Sequence, residues 1–136
     1  MNPVRSVVLF VLMMIGTSVL AQSPNPFVGT WKVAWEQQTR GSGVVPGGTR
    51  NFEAEMIIAA SGGSWKTLGV SRGDDPCVGK EVPVVVEKQT DDELNVRLKF
   101  SEVAQGCTDS MVRLKRVDDK KLTGTRGKSE VTATKQ

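Results

Sequence analysis

The sequence contains no histidine and only two cysteines among its 136 residues. Without histidine there is no Ser–His or Cys–His pair to activate a nucleophile. A structural zinc site needs about four Cys or His ligands, and the two cysteines do not form a Cys-x-x-Cys motif. We therefore expect a protein that is not an enzyme and that needs no cofactor.

Acidic residues do form pairs, but their positions favour structural roles. Glu53 and Glu55 share one face of a predicted strand, which is a suitable arrangement for acid–base chemistry. They alternate with apolar residues, however, so we expect both carboxylates to point into solvent. Asp74 and Asp75 lie in a Gly/Pro-rich loop, where we expect a simple turn. The less favoured alternative is a calcium site, because their clustered oxygens could act as ligands. We predict no metal site.

The two cysteines, Cys77 and Cys107, form the only intrachain pair that the sequence allows. An even cysteine count in a small exported domain indicates a disulfide. We expect this bond to stabilise the fold by roughly 3–4 kcal/mol, because it closes a long loop.

Long apolar runs are also missing, except at the N-terminus. Arg5 precedes the run "VVLFVLMMIG", which is about half of the ~20 residues that span a bilayer. Val19 and Ala21 then stand where a signal peptidase expects small residues. We predict a signal peptide over 1–21, cleaved after Ala21, a leader over 22–29 and a single domain over 30–136. The product is expected in the periplasm or secreted, with no stable membrane anchor.

Charges of both signs are spread along the chain, which has a net formal charge of +3. This distribution is typical of a soluble surface rather than a nucleic-acid-binding stripe. The apolar residues alternate with polar ones, as in strands with one buried face. Turn signals divide this pattern into eight predicted strands, at 30–36, 51–59, 64–70, 82–88, 94–100, 111–117, 121–126 and 129–135.

The lengths of the predicted connections favour an eight-stranded antiparallel up-and-down barrel, which leaves no open sheet edge. In such a barrel successive connections alternate between the two ends. The three long connections all fall at one end and the short ones at the other. Cys77 and Cys107 lie in two of the long loops, so the disulfide should bridge them at one rim. A two-sheet sandwich is the alternative.

The segments "FVGTWK" and "VRLKRVDDKKLTGT" resemble small exported bacterial lipocalin-like (calycin) proteins. In lipocalins the tryptophan of a Gly-x-Trp motif, here Gly29 and Trp31, packs across the base of the barrel near an arginine from the final strands. The candidates for that arginine in this chain are Arg113, Arg116 and Arg126. This chain departs from lipocalins in lacking their C-terminal helix, and from avidins in lacking the tyrosine that contacts their ligand.

Five large side chains are predicted to point into the barrel, where they either line a ligand pocket or fill the interior: Trp31, Trp35, Phe52, Met56 and Trp65. The loops 40–50, 71–81 and 101–108 should surround its mouth. Val44 and Val45 in the first loop suit a lid or a protein-binding edge, and Asp74 and Asp75 lie in the second.

The sequence therefore predicts an exported, non-catalytic, lipocalin-like binding protein for a small apolar ligand. The alternative is a protein-interaction module, such as a periplasmic inhibitor or an envelope-stress factor, that binds an envelope protein through the same three loops.

Overall fold

The computed structural model describes residues 24–41, 43–44, 46–69 and 76–136. The predicted signal peptide lies outside this range, as do Val45, Asp74 and Asp75. No helix among the described residues is long and apolar enough to cross a membrane.

The described residues form a closed barrel of eight antiparallel strands, in which each strand pairs with its neighbours in sequence and β8 pairs with β1. This confirms the predicted fold class and excludes the sandwich. The strands are β1 Gly29–Thr39, β2 Gly48–Ala59, β3 Gly62–Leu68, β4 Glu81–Gln89, β5 Glu93–Leu98, β6 Ser110–Asp118, β7 Lys121–Arg126 and β8 Ser129–Lys135.

Alternating burial explains why these segments are strands. In β1, Trp31, Val33 and Trp35 are buried, while the residues between them are exposed. The cross-strand pairs then bring the large inward residues together: Trp31 lies opposite Met56, and Met56 lies opposite Trp65 on the next strand. Burial of these side chains gives the barrel one continuous apolar core.

The connections distribute between the two ends as predicted. The turns 60–61, 90–92 and 119–120 lie at the end where β1 begins, which we call the closed end. The connections 40–47, 69–80 and 99–109 and the turn 127–128 lie at the other end, which we call the open end. The disulfide joins Cys77 to Cys107 there, with their Cα atoms 5.9 Å apart, and so confirms the predicted pairing.

Several predicted boundaries are wrong, among them those of the third strand, which is Gly62–Leu68 rather than 64–70. The predicted fifth strand continues to Phe100, but β5 ends at Leu98 and a 3₁₀ turn follows at Phe100–Glu102. The side chain of Asp109 accepts hydrogen bonds from the Ser101 amide (3.0 Å) and hydroxyl (2.7 Å), which favours the turn over further strand. Phe100 is nevertheless buried, so its predicted inward position is correct.

The first connection is also shorter than the predicted loop 40–50, because β1 and β2 extend further. Thr39 pairs with Gly48, at the last position of their ladder. The β1–β8 pairing stops at Trp35, however, and the β2–β3 pairing starts at Glu53. Within the described residues, 36–39 and 48–52 therefore form a two-stranded extension that projects beyond the rim at the open end.

Candidate functional site

The closed end of the barrel is sealed by the residues around Trp31. The indole N–H of Trp31 donates a hydrogen bond to the Phe27 carbonyl at 2.8 Å, and both side chains are fully buried. The ammonium of Lys135 lies 5.4 Å from the centre of the Trp31 ring. Gly29 has a φ of +138°, and an added Cβ would come within 2.8 Å of Lys135 Cε, so glycine makes room for that lysine. Among the described residues, Trp31 is therefore closed off from solvent at this end.

The expected arginine over Trp31 is not found among the described residues. Arg113 is exposed on β6, Arg116 pairs with Asp119 in the neighbouring turn, and Arg126 lies at the opposite end of the barrel. A lysine of β8 takes the place that the resemblance assigned to an arginine. The prediction was wrong because strand order alone does not say which inward residue reaches the ring.

A broad groove of about 1170 Å³ lies at the open end, between the two-stranded extension and the β7–β8 turn. Trp35 and Phe52 form its aromatic wall. They are direct cross-strand partners, with ring centroids 5.5 Å apart and planes inclined by only 12°. Trp35 is 5% exposed and Phe52 is half-buried, so this pair borders both the core and the groove.

Arg126 is the charged residue of the groove that points into the barrel. Its guanidinium carbon lies 4.8 Å from the ring centre of Trp35 and 5.6 Å from the ring centres of both Trp65 and Phe100. Its Nε donates a hydrogen bond to the Ser110 hydroxyl at 3.2 Å. Burial against these rings lowers the pKa of Arg126 below its ordinary value. Within the described part of the chain, no carboxylate lies within ion-pair distance of it.

The carboxylates around the groove point outward. Glu36, Glu53 and Glu130 are exposed and occupy the outer-face positions of their strands. Glu53 forms an ion pair with Lys32 at 2.9 Å on that outer face. The inner side of the groove therefore combines the positive charge of Arg126 with aromatic rings and uncharged polar groups, while Arg40 and Lys128 line the groove from the connections. Its inward residues are Trp35, Gln37, Phe52, Ser110, Arg126 and Ser129.

The five predicted ligand-binding residues all belong to the inner face, but they separate into two groups. Trp31, Met56 and Trp65 are buried in the core, and the Trp65 N–H is satisfied by the Thr67 hydroxyl at 2.9 Å. Only Trp35 and Phe52 line the groove. Val44 of the mouth loops is exposed over 94% of its surface.

The sequence analysis named Arg126 only as a candidate for the arginine near Trp31 and missed it as a residue of the groove, although a signal for it exists. In β7, Leu122 and Gly124 occupy inward positions, and Arg126 is the next residue on that face. A charged residue at an inward position breaks the alternation of apolar and polar residues. That break is the pattern from which it could have been found.

Metal or carboxylate chemistry gains no support within the described residues. No group of three or more potential metal ligands occurs there. Glu53 and Glu55 are exposed, as predicted.

Comparison with protein-family models, with curated proteins and with solved structures finds no match to this chain. The lipocalin-like resemblance of the first and later strands thus stays a prediction.

Proposed function

We propose that this protein is an exported, non-catalytic, lipocalin-like binding protein that holds a small, largely apolar ligand in the groove at the open end of its barrel. The observation that carries this proposal is the stacked pair of Trp35 and Phe52 on the wall of that groove. Two flat apolar surfaces beside an open cleft suit the apolar part of a small molecule, because pockets of this kind gain affinity from removing apolar surface from water.

The arrangement of the two ends supports the same location. Trp31 is sealed by Phe27 and Lys135, so a ligand has no path at that end. The disulfide joins two of the loops at the open end and so limits the conformational entropy that they lose on ligand binding. The absence of histidine and the use of both cysteines in the disulfide support a non-catalytic role.

Tryptophan fluorescence and thermal unfolding test the proposal. We expect apolar and amphipathic probes to change the emission of the wild-type protein and to raise its Tm. Replacing Trp35 with Phe should remove most of the emission change, since Trp31 and Trp65 are buried away from the groove.

Phe52→Ala is the second test variant, and Val117→Ala is its control on the outer face, where Val117 is 57% exposed. The first change should weaken probe binding about tenfold or more, because it removes one of the two aromatic surfaces. The second should leave binding unchanged. Equal affinity in both variants would show that probes bind elsewhere.

Export is a separate part of the proposal, supported by the apolar run and cleavage pattern of residues 1–21 and by the disulfide, which suits an oxidising compartment. Protein recovered from the periplasm or culture medium should begin at Gln22. Recovery of the uncleaved chain from the cytoplasm would contradict this part alone.

A protein-interaction module is the second candidate, favoured by the exposure of Val44 next to the projecting β1–β2 extension. An apolar side chain this exposed is often covered by a partner. For this function, Val44→Asp should abolish capture of a specific envelope protein, whereas Val117→Asp should not. Unchanged capture by the Val44→Asp variant would exclude this loop.

A further inference from the structure

The guanidinium of Arg126 is ionised but lies among aromatic rings, with no carboxylate of the described residues paired to it. Arg126 reaches the inner side of the barrel rim through β7, where it pairs with Val112 on one side and Ser129 on the other. The three rings replace part of the water around the guanidinium. Cation–π attraction offsets part of that desolvation, but it does not replace the hydrogen bonds that water would make with the N–H groups.

The hydrogen-bond donors of Arg126 are only partly used. A guanidinium carries five N–H donors in one plane, and the hydroxyl of Ser110 accepts from Nε. No buried side-chain nitrogen in the described part of the chain lacks a hydrogen-bond partner, so no unsatisfied donor of Arg126 is shut off in the core. Since Arg126 lines the groove, the Nη edge is available to a ligand there.

The groove presents this edge beside an apolar surface. The guanidinium lies within 5 Å of the Trp35 ring centre, and Trp35 is stacked on Phe52. A molecule that contacts the guanidinium edge with one end can place its other end on this aromatic wall. Gln37 and Ser129 add neutral hydrogen-bonding groups, and the carboxylates of the groove are turned to the outer face.

We propose that Arg126 is an anion receptor that binds the carboxylate of a small amphipathic organic acid, whose apolar part lies against Trp35 and Phe52. This inference rests on the proposed function and specifies its ligand class as monocarboxylates. The carboxylate accepts two parallel N–H bonds from the guanidinium edge. Its single negative charge balances the single charge of Arg126, whereas a phosphate dianion carries a second charge that Arg126 does not compensate.

The test compares acids with neutral analogues of the same shape. Isothermal titration is run with octanoate against octanamide and with 3-phenylpropionate against 3-phenylpropanamide, and phenyl phosphate is included as a dianion. We expect each acid to bind the wild-type protein about tenfold to a hundredfold more tightly than its amide, because a hydrogen bond to a charged group contributes more than a neutral one. Phenyl phosphate should bind more weakly than 3-phenylpropionate.

Arg126→Met keeps the apolar stem and removes the charge. In this variant the acids should lose their advantage, while the amides bind as before. Arg113→Met, which changes an exposed arginine on the outer face of β6, is the matched control and should keep the preference for acids. Arg126→Lys keeps the charge without the bidentate edge and should retain only part of the preference.

The possible outcomes separate the two proposals. Equal binding of acid and amide by the wild-type protein would overturn the anion receptor and leave the proposed function standing. A preference for acids that survives in Arg126→Met would also overturn it. No binding of any acid or amide would reject both. If Arg126→Met does not fold, the wild-type comparison and Arg126→Lys still decide, since full retention of the acid preference in Arg126→Lys would reject the bidentate contact.

Discussion

Each end of the barrel contains a tryptophan of β1 with a cation near its ring, and the two ends use this arrangement differently. At the closed end Lys135 lies 5.4 Å from the centre of Trp31, and at the open end Arg126 lies 4.8 Å from the centre of Trp35. The two tryptophans are four residues apart and point to the same side of the strand. Their chemistry is therefore similar, and the difference lies in what surrounds them.

At the closed end the chain before β1 folds over the barrel. Phe27 is buried, and its carbonyl satisfies the Trp31 N–H, so ring, cation and backbone complete a sealed layer. At the open end β1 instead continues past the rim, and its pairing with β8 ends at Trp35. The ring of Trp35 thus borders a groove. A tryptophan–cation pair serves stability where the chain covers it and becomes a candidate binding surface where the chain leaves it open.

The largest effect should come from truncating the two tryptophans. Trp31→Ala is expected to lower the free energy of unfolding by about 3–5 kcal/mol, because it leaves a large cavity in a sealed layer. Trp35→Ala should cost less, since water can enter the space from the groove. Urea unfolding measures both values, and Trp31→Phe gives a milder variant if Trp31→Ala does not fold. Equal losses for Trp31→Ala and Trp35→Ala would contradict the distinction between the ends.

Removing the disulfide tests whether the open end needs a covalent constraint. The double variant Cys77→Ser/Cys107→Ser should lose roughly 3–4 kcal/mol of stability, as expected for a cross-link that closes a loop of this length. Amide exchange should increase most in the connections 69–80 and 99–109, and least around Trp31. The same variant measured under reducing conditions is the control, because reductant should destabilise only the wild type. Faster exchange at both ends alike would show that the bond supports the whole barrel.

Gly29 provides a smaller test at the closed end. Gly29→Ala should cost about 1–3 kcal/mol, since its positive φ is strained for any residue with a Cβ. The Cβ would also contact Lys135 Cε, but the flexible end of that side chain can move away, so backbone strain sets the cost. Gly48→Ala is the matched control, because Gly48 also begins a strand, and an added Cβ would meet no heavy atom within 4 Å there. Thermal unfolding of both variants measures the difference, and similar Tm values would argue against a special role for Gly29.

The smallest effect concerns acid stability at the open end. Hydrogen bonds from the Ser101 amide, the Ser101 hydroxyl and the Lys99 ammonium lower the pKa of Asp109 to about 2. Because the pKa is lower in the folded state than the ~3.9 of an unfolded aspartate, this carboxylate stabilises the fold above pH ~4. That contribution disappears as the pH falls through about 2.

NMR titration of the Asp109 carboxyl measures this pKa, and unfolding between pH 7 and pH 2 measures its consequence. Asp109→Asn should make stability less dependent on pH across the acid range. Asp91→Asn, in the exposed β4–β5 turn at the closed end, is the matched control for removal of a surface carboxylate. An ordinary pKa for Asp109 would mean that the 3₁₀ turn is held in another way.

The barrel itself could be predicted because each of its signals is local. Alternation in segments such as 30–36 and 51–59 identifies strands, and the lengths of the connections place Cys77 and Cys107 at one end. The β5 boundary could not be predicted, because Phe100 continues the apolar alternation. The hydrogen bonds between Asp109 and Ser101, eight residues apart in the chain, favour a turn there.

The candidate site was predicted only in part. Trp35 and Phe52 were chosen because both point inward, and they do line the groove. The same criterion also selected Trp31, Met56 and Trp65, which lie in the core. Inward direction is a property of one strand, whereas access to a ligand depends on where neighbouring strands stop.

By itself the sequence determined the strands, the inward faces, the barrel and the cysteine pair, because alternation and connection length are properties of short segments. Only the tertiary structure decided that Lys135 lies over Trp31 and that Arg126 lies among Trp35, Trp65 and Phe100. The physical reason is that the sheet closes into a barrel. The register between β1 and β8, together with the stagger accumulated around the barrel, sets the height of each inward side chain. The position of a side chain along the barrel axis decides which other side chains it meets across the interior.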